Sequence, residues 1–164
     1  MQREVNIEKV RQQAEDAFIQ GDLHCSEAIV YSVRNNIDPS MPDAILAAAS
    51  GFPTGVGGSK CMCGAVSGAV ICLGYFFGRL YPTTLTDPKS QKCMLLAHEL
   101  QEAFRQNHKV LCCHVHLKDL EMGSKQQMNQ CASFTGEMAA KTAEIIAREL
   151  CIPLVETKEE AAVC

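Results

Sequence analysis

The reactive chemistry of this sequence is carried by sulfur. Ten cysteines stand among 164 residues: Cys25, Cys61, Cys63, Cys72, Cys93, Cys112, Cys113, Cys131, Cys151 and Cys164. Thiolates act as nucleophiles, as halves of disulfides and as ligands for soft metals. A disulfide framework belongs to exported chains. Here the opening MQREVNIEKVRQQAED is charged from the start and lacks the apolar stretch of a signal peptide. The chain is also long enough to bury a core without staples. A cytoplasmic protein with reduced thiols, metal ligands or redox cysteines is therefore expected. Spacing narrows the choice further. There is no C-x-x-C, so zinc-ribbon, thioredoxin and bacterial ferredoxin patterns are unsupported, and no C-x-x-C-H for covalent haem. Cys61-Met62-Cys63 is only C-x-C.

Position says more than spacing. In GFPTGVGGSKCMCGAVSGAVICLG, Cys63 stands where a glycine-rich loop turns into a helix. A helix N-terminus offers unpaired N–H groups and partial positive charge, both of which favour a thiolate and lower its pKa. Gly64, Ala65 and Gly68 keep the surface beside that sulfur small, so that a cofactor, a substrate or another helix can approach. The competing reading is that the glycines serve helix packing alone and Cys63 is a small apolar filler. Cys25 lies near another helix start, in GDLHCSEA with Glu27 in the first turn. Cys131 shares a helical face with Phe134, Met138 and Ile145, and Cys112 and Cys113 follow a turn. Cys72 and Cys93 sit in apolar stripes and read as core. Cys151 and Cys164, at or beyond the last helix, read as exposed and incidental. His114 and His116 flank Val115; on a helix an H-x-H pair does not share a face, and surface imidazoles are the simpler reading. No Ser-His-Asp arrangement, P-loop or G-x-S-x-G occurs.

These residues must be positioned by helices. Apolar periodicity and breakers predict an all-α single domain over 1–152, with six to seven helices and an acidic tail over 153–164. The helices fall at about 4–20, 24–36, PDAILAAAS opened by Pro42 in its first turn, 61 or 63 to 80, 88–107, a short one within 108–123 after a turn, and 125–150 ended by Pro153. The fourth is apolar nearly all round and is expected at the centre. The fifth should turn Cys93, Leu95, Leu96, Leu100 and Phe104 inward. Apolar residues make up 47% and charged residues 21%, with net charge −4, which suits a globular core. There is no basic cluster, no Trp and only 5% aromatic content, so nucleic acid is not an expected partner. The longest apolar run, from Ala69 to Phe77, falls far short of the ~20 residues of a membrane span, so no membrane insertion is expected. The apolar fourth helix is compatible with a homodimer.

GDLHCSEAIV, GFPTGVGGSKCMCGAVSGAV, LCCHVHL and QCASF, in that order, together resemble the C-GCAxxG-C-C redox-active protein family. The resemblance covers about residues 5–150. Cys63-Gly64-Ala65-Val66-Ser67-Gly68 stands as the family's CGAxxG element, and Gly51-Phe52 with Gly55, Gly57 and Gly58 as its glycine loop. Cys25 stands as its first cysteine, Cys113 as the third with Cys112 one residue away as the alternative, and Cys131 as the fourth. The implied fold is a small helical domain resembling that of split-Soret cytochrome c, without the covalent haem. Three departures stand out: the added Cys61, Lys109-Val110 in place of a Gly-Ser type of turn, and His114 where arginine is common. The resemblance implies redox function at a site formed by Cys25, Cys63, Cys113 and Cys131. These four would ligate an iron–sulfur cluster for electron transfer or redox sensing, with Gly57, Gly58 and Gly64 supplying backbone groups and a redox protein as partner. The alternatives are metal-free thiol–disulfide chemistry led by Cys63 with Cys25 or Cys113 resolving, a structural zinc in the same set, and a helical interaction domain whose cysteines only pack.

Overall fold

Seven helices follow one another in the computed structural model, which describes residues 1–155. They are α1 (Ile7–Ile19), α2 (Cys25–Asn36), α3 (Asp43–Ala49), α4 (Gly64–Phe77), α5 (Pro88–His108), α6 (Cys113–Leu117) and α7 (Lys125–Leu150). The all-α expectation holds. The one extended contact among the described residues is a parallel bridge between Val5 and Leu154.

Local chemistry sets the boundaries. The Asn6 carboxamide accepts the Lys9 N–H at 2.9 Å and starts α1. Asp87 accepts from Ser90 N at 2.9 Å, and Pro88 at the first position of α5 gives up no helical bond. At the start of α2, Glu27 reaches back to the His24 N–H at 3.0 Å, half of a capping box. Ser124 accepts from Gln127 N and starts α7. Expected boundaries shift slightly: α1 begins at Ile7 rather than residue 4, α4 ends at Phe77 rather than 80, and Pro42 caps α3 rather than entering it.

Helices α1, α2, α4 and α7 enclose the core. α7 lies along α1 and also meets α2 and α4, while α5 packs outside α4 and α7. α4 is buried over Gly64–Ala69, Cys72, Leu73 and Phe77, but Gly74 is exposed and Val70, Ile71, Tyr75 and Phe76 are half-buried. It shares the centre with α7, which carries a longer run of buried residues. Buried hydroxyls pair locally or across helices: Ser32 Oγ donates to Val10 O at 2.6 Å and Ser26 Oγ to Ala49 O at 2.9 Å. Among the described residues no buried side-chain polar atom lacks a partner, which keeps the desolvation cost of these groups low.

The inner face of α5 needs correcting. Leu96, Leu100 and Phe104 are buried, but Leu95 is 69% exposed and Cys93 only half-buried. α5 has neighbours on one side only, so it buries the narrow stripe at four-residue spacing and leaves the adjacent positions in water. Within the stretch expected as an acidic tail, residues 153–155 are tied to the start of the chain. Val5 N–H donates to Pro153 O at 2.9 Å and Val155 N–H to Val5 O at 2.9 Å. The rest of the acidic stretch, and Cys164 with it, lies outside the described residues. No helix among the described residues is long and apolar enough to cross a membrane.

Candidate functional site

Cys63 ends a strap that begins after α3. Gly51–Met62 folds back on itself: Lys60 N–H donates to Thr54 O at 3.0 Å and Cys61 N–H to Gly55 O at 3.2 Å. The strap carries Thr54, Val56 and Lys60 at φ 53°, 52° and 63°, a left-handed backbone that β-branched residues rarely adopt. Strain of this kind persists only where the surroundings fix it. At Gly55, φ +69, a side chain would run into the backbone of Lys60 and Cys61, so only glycine closes the turn.

The strap is tied to the segment before α6. Cys63 N–H donates to Leu111 O at 2.8 Å and His114 N–H donates to Lys60 O at 2.9 Å. These bonds place Cys63, which caps α4, beside Cys113, the first residue of α6. Cys25 opens α2, and Cys131 lies in the second turn of α7. All four cysteines line one cavity of about 300 Å³, at the small end of ligand pockets. Its other walls are mainly apolar, with Phe18, Leu23, Leu117, Met128 and Phe134. Cys112 does not line it; its thiol donates instead to Lys60 O at 3.6 Å.

Gly64 lines the cavity, and the reason for glycine is steric. A methyl group there would collide with Cys25 Sγ and lie 3.1 Å from Phe52 O. Four residues on, a methyl at Gly68 would lie 2.5 Å from Ser26 O, on the α2 turn that carries Cys25. The two glycines of the CGAxxG element therefore let α4 press against the start of α2 and bring Cys25 to Cys63. Gly57 and Gly58 are not brought there. They sit exposed at the tip of the strap, at φ +60 and +81, and shape the loop rather than the cavity wall.

The expected low pKa of Cys63 is reversed. Burial is the largest influence and pushes its thiol up to about 12, aided by charge on Cys25 and Cys113. The Ala65 and Val66 N–H groups do point at the sulfur and pull the other way. The helix start is present as expected, but desolvation outweighs it. Burial likewise raises Cys113 to about 11, with Cys131 and Cys25 adding to it. Cys25 and Cys131 are raised for the same first reason, opposed by the Thr54 N–H at Cys25 and by the Gln127 amide at Cys131.

Gln127 and Thr54 are site residues the sequence reading missed. Gln127, 5% exposed, gives its Nε2–H to Cys131 Sγ at 3.1 Å and accepts the Gly123 N–H at 2.9 Å. Ser124-x-x-Gln127 is a capping-box signature, so the signal was present, but the pattern says nothing of Cys131 one turn later. Phe134 joins the cavity to an aromatic cluster of Phe104, His108 and His116, with His108 Nε2 2.6 Å from Glu137. His116 donates to Val110 O at 2.9 Å, and His114 is exposed, as read.

Four thiols in an apolar cavity form a soft donor set. Yet among the described residues no three His, Cys, Asp or Glu side chains converge closely enough to hold one metal ion.

The sequence model of the family described as "Putative redox-active protein (C_GCAxxG_C_C)" matches residues 23–145. No curated protein and no solved structure shows significant similarity to the chain.

Proposed function

The chain belongs to the C_GCAxxG_C_C family, and from that premise we propose that it is a redox protein whose working site is the four-cysteine cavity, loaded with an iron–sulfur cluster. The observation that carries the reading is the convergence of Cys25, Cys63, Cys113 and Cys131, from four separate helices, on one apolar cavity. The four thiols, Cys63 and Cys113 buried and Cys25 and Cys131 half-buried, all resist ionisation. Soft metal displaces those protons and satisfies the sulfurs.

The residues here divide the work. Cys25, Cys63, Cys113 and Cys131 would hold the cluster, and one-electron transfer is the chemistry it supplies when bound. Ala65, Val66 and Thr54 direct N–H groups at the sulfurs, and Gln127 adds a side-chain amide. Such donors spread negative charge and favour the reduced state. Phe18, Leu23, Met128 and Phe134 keep water from the site. A reducing compartment such as the cytoplasm, and a redox protein as electron partner, follow from this reading.

Metal analysis tests it. Protein purified without oxygen should be brown and carry iron and acid-labile sulfide in near-equal amounts, and Cys63→Ser should lose both. Colourless, metal-free protein would overturn the cluster. The second reading, a metal-free dithiol among the same cysteines, is favoured by the absence of a converged metal triad among the described residues. It requires a reversible two-hydrogen mass change that maps to Cys63. Against it stands the raised Cys63 thiol, a poor attacking group near neutral pH.

A further inference from the structure

Two cysteines near the cavity take no part in it. Cys61 is exposed and Cys112 half-buried, and neither lines the cavity wall. The segments that carry them face one another. The Cys63-to-Leu111 and His114-to-Lys60 backbone bonds, 2.8 and 2.9 Å, bracket residues 61–62 against 112–113. Inside that bracket Cys113 turns inward to the cavity, while Cys112 turns across the gap. Its thiol meets the Lys60 carbonyl at 3.6 Å, and that carbonyl is bonded directly to the Cys61 nitrogen. Both thiols are thus held on adjoining backbone, outside the apolar cavity and within reach of solvent.

We infer that Cys61 and Cys112 form a second, accessible dithiol that closes to a disulfide between the strap and the start of α6. The oxidant is a low-molecular-weight disulfide such as oxidised glutathione. The Cys61 thiolate, its proton given to water, attacks one sulfur of the oxidant and expels one glutathione thiolate, leaving a mixed disulfide. The Cys112 thiolate, likewise deprotonated, then attacks the Cys61 sulfur and expels the second. Two protein thiols are oxidised and one glutathione disulfide becomes two thiols, so electrons and protons balance. The two bracketing backbone bonds hold the segments in direct contact, and closing the disulfide requires the Cα atoms of Cys61 and Cys112 to come to roughly 4.4–6.8 Å. Because the strap leads into Cys63 and the α6 start carries Cys113, the bond clamps together the two chain segments that bring those cavity cysteines into place.

The test is a disulfide map. Reduced protein is treated with oxidised glutathione, quenched with N-ethylmaleimide, digested without reduction and sequenced by tandem mass spectrometry. The expected product is a Cys61–Cys112 link with the loss of two hydrogens. Cys61→Ser should abolish that link and leave glutathione on Cys112, and Cys112→Ser should leave it on Cys61. Cys151→Ser, at an exposed cysteine outside both sites, should keep the link at the wild-type level, and the link is read by mass whatever the metal content, so this inference stands or falls separately from the function proposed for the cavity. Recovery of Cys61 and Cys112 alkylated or separately glutathionylated in the wild type would overturn it. So would a link confined to Cys25, Cys63, Cys113 and Cys131, which would instead favour the metal-free dithiol reading of the cavity.

Discussion

At Cys63 the helix start and the cavity pull in opposite directions. The Ala65 and Val66 N–H groups favour a thiolate, and burial disfavours it more strongly. Cys72 lies in the core with no such donors from a helix end, and burial raises it further in the same direction. A thiol raised on folding contributes stability that is fully present below its unfolded pKa of about 8.5 and is lost as pH rises toward its folded value. Metal-free protein should therefore hold its stability up to about pH 8.5 and lose it progressively above. Urea midpoints measured across that range check this, and Cys72→Ala should make the alkaline decline shallower. Gly64 offers a separate test. Alanine is favoured over glycine inside a helix by about 1 kcal/mol, so Gly64→Ala would stabilise α4 if only propensity counted. The collision with Cys25 Sγ and the 3.1 Å approach to Phe52 O predict the opposite: lower stability and lower iron content than the wild type.

Contacts between helices have the same local specificity. Gly68 brings α4 onto the Ser26 backbone of α2, 2.5 Å from where a methyl would stand, and backbone cannot swing aside. Gly68→Ala should cost about 1–3 kcal/mol, the usual range for overpacking. Gly74, in the same helix, has nothing within 4 Å of that position, and Gly74→Ala should be neutral or stabilising by up to about 1 kcal/mol. Denaturant unfolding of the two variants side by side checks the contrast; equal effects would mean that helix propensity, not the α2–α4 approach, governs both. Leu96, Leu100 and Phe104 hold α5 to the core, and at the surface Arg148 of α7 adds a bidentate pair to Glu99 with both bonds at 2.8 Å, the geometry in which an exposed ion pair does contribute.

Over the whole molecule, the two ends of the described chain meet at Val5. It is fully buried before α1 begins and exchanges backbone bonds with Pro153 and Val155. Val5→Ala should lower stability by about 2 kcal/mol through lost burial and the cavity left behind, read as a lower melting temperature, with the four-cysteine site unchanged in metal content. The helices were legible from the residues because helix formation is local: apolar residues at three- and four-residue spacing and Pro153 as a stop are readable one turn at a time. The cysteine order was legible too, and with it the family. The orientation of each thiol was not. That Cys113 turns inward and Cys112 does not, that Gly57 and Gly58 stay at the strap tip, and that Gln127 reaches Cys131 depend on which segments meet across long stretches of chain. The Cys63 thiol makes the same point in energy. Its helix-terminal N–H groups are local and follow from sequence, but the burial that outweighs them comes from α2, α6 and α7 closing over it, and only the tertiary structure decides that.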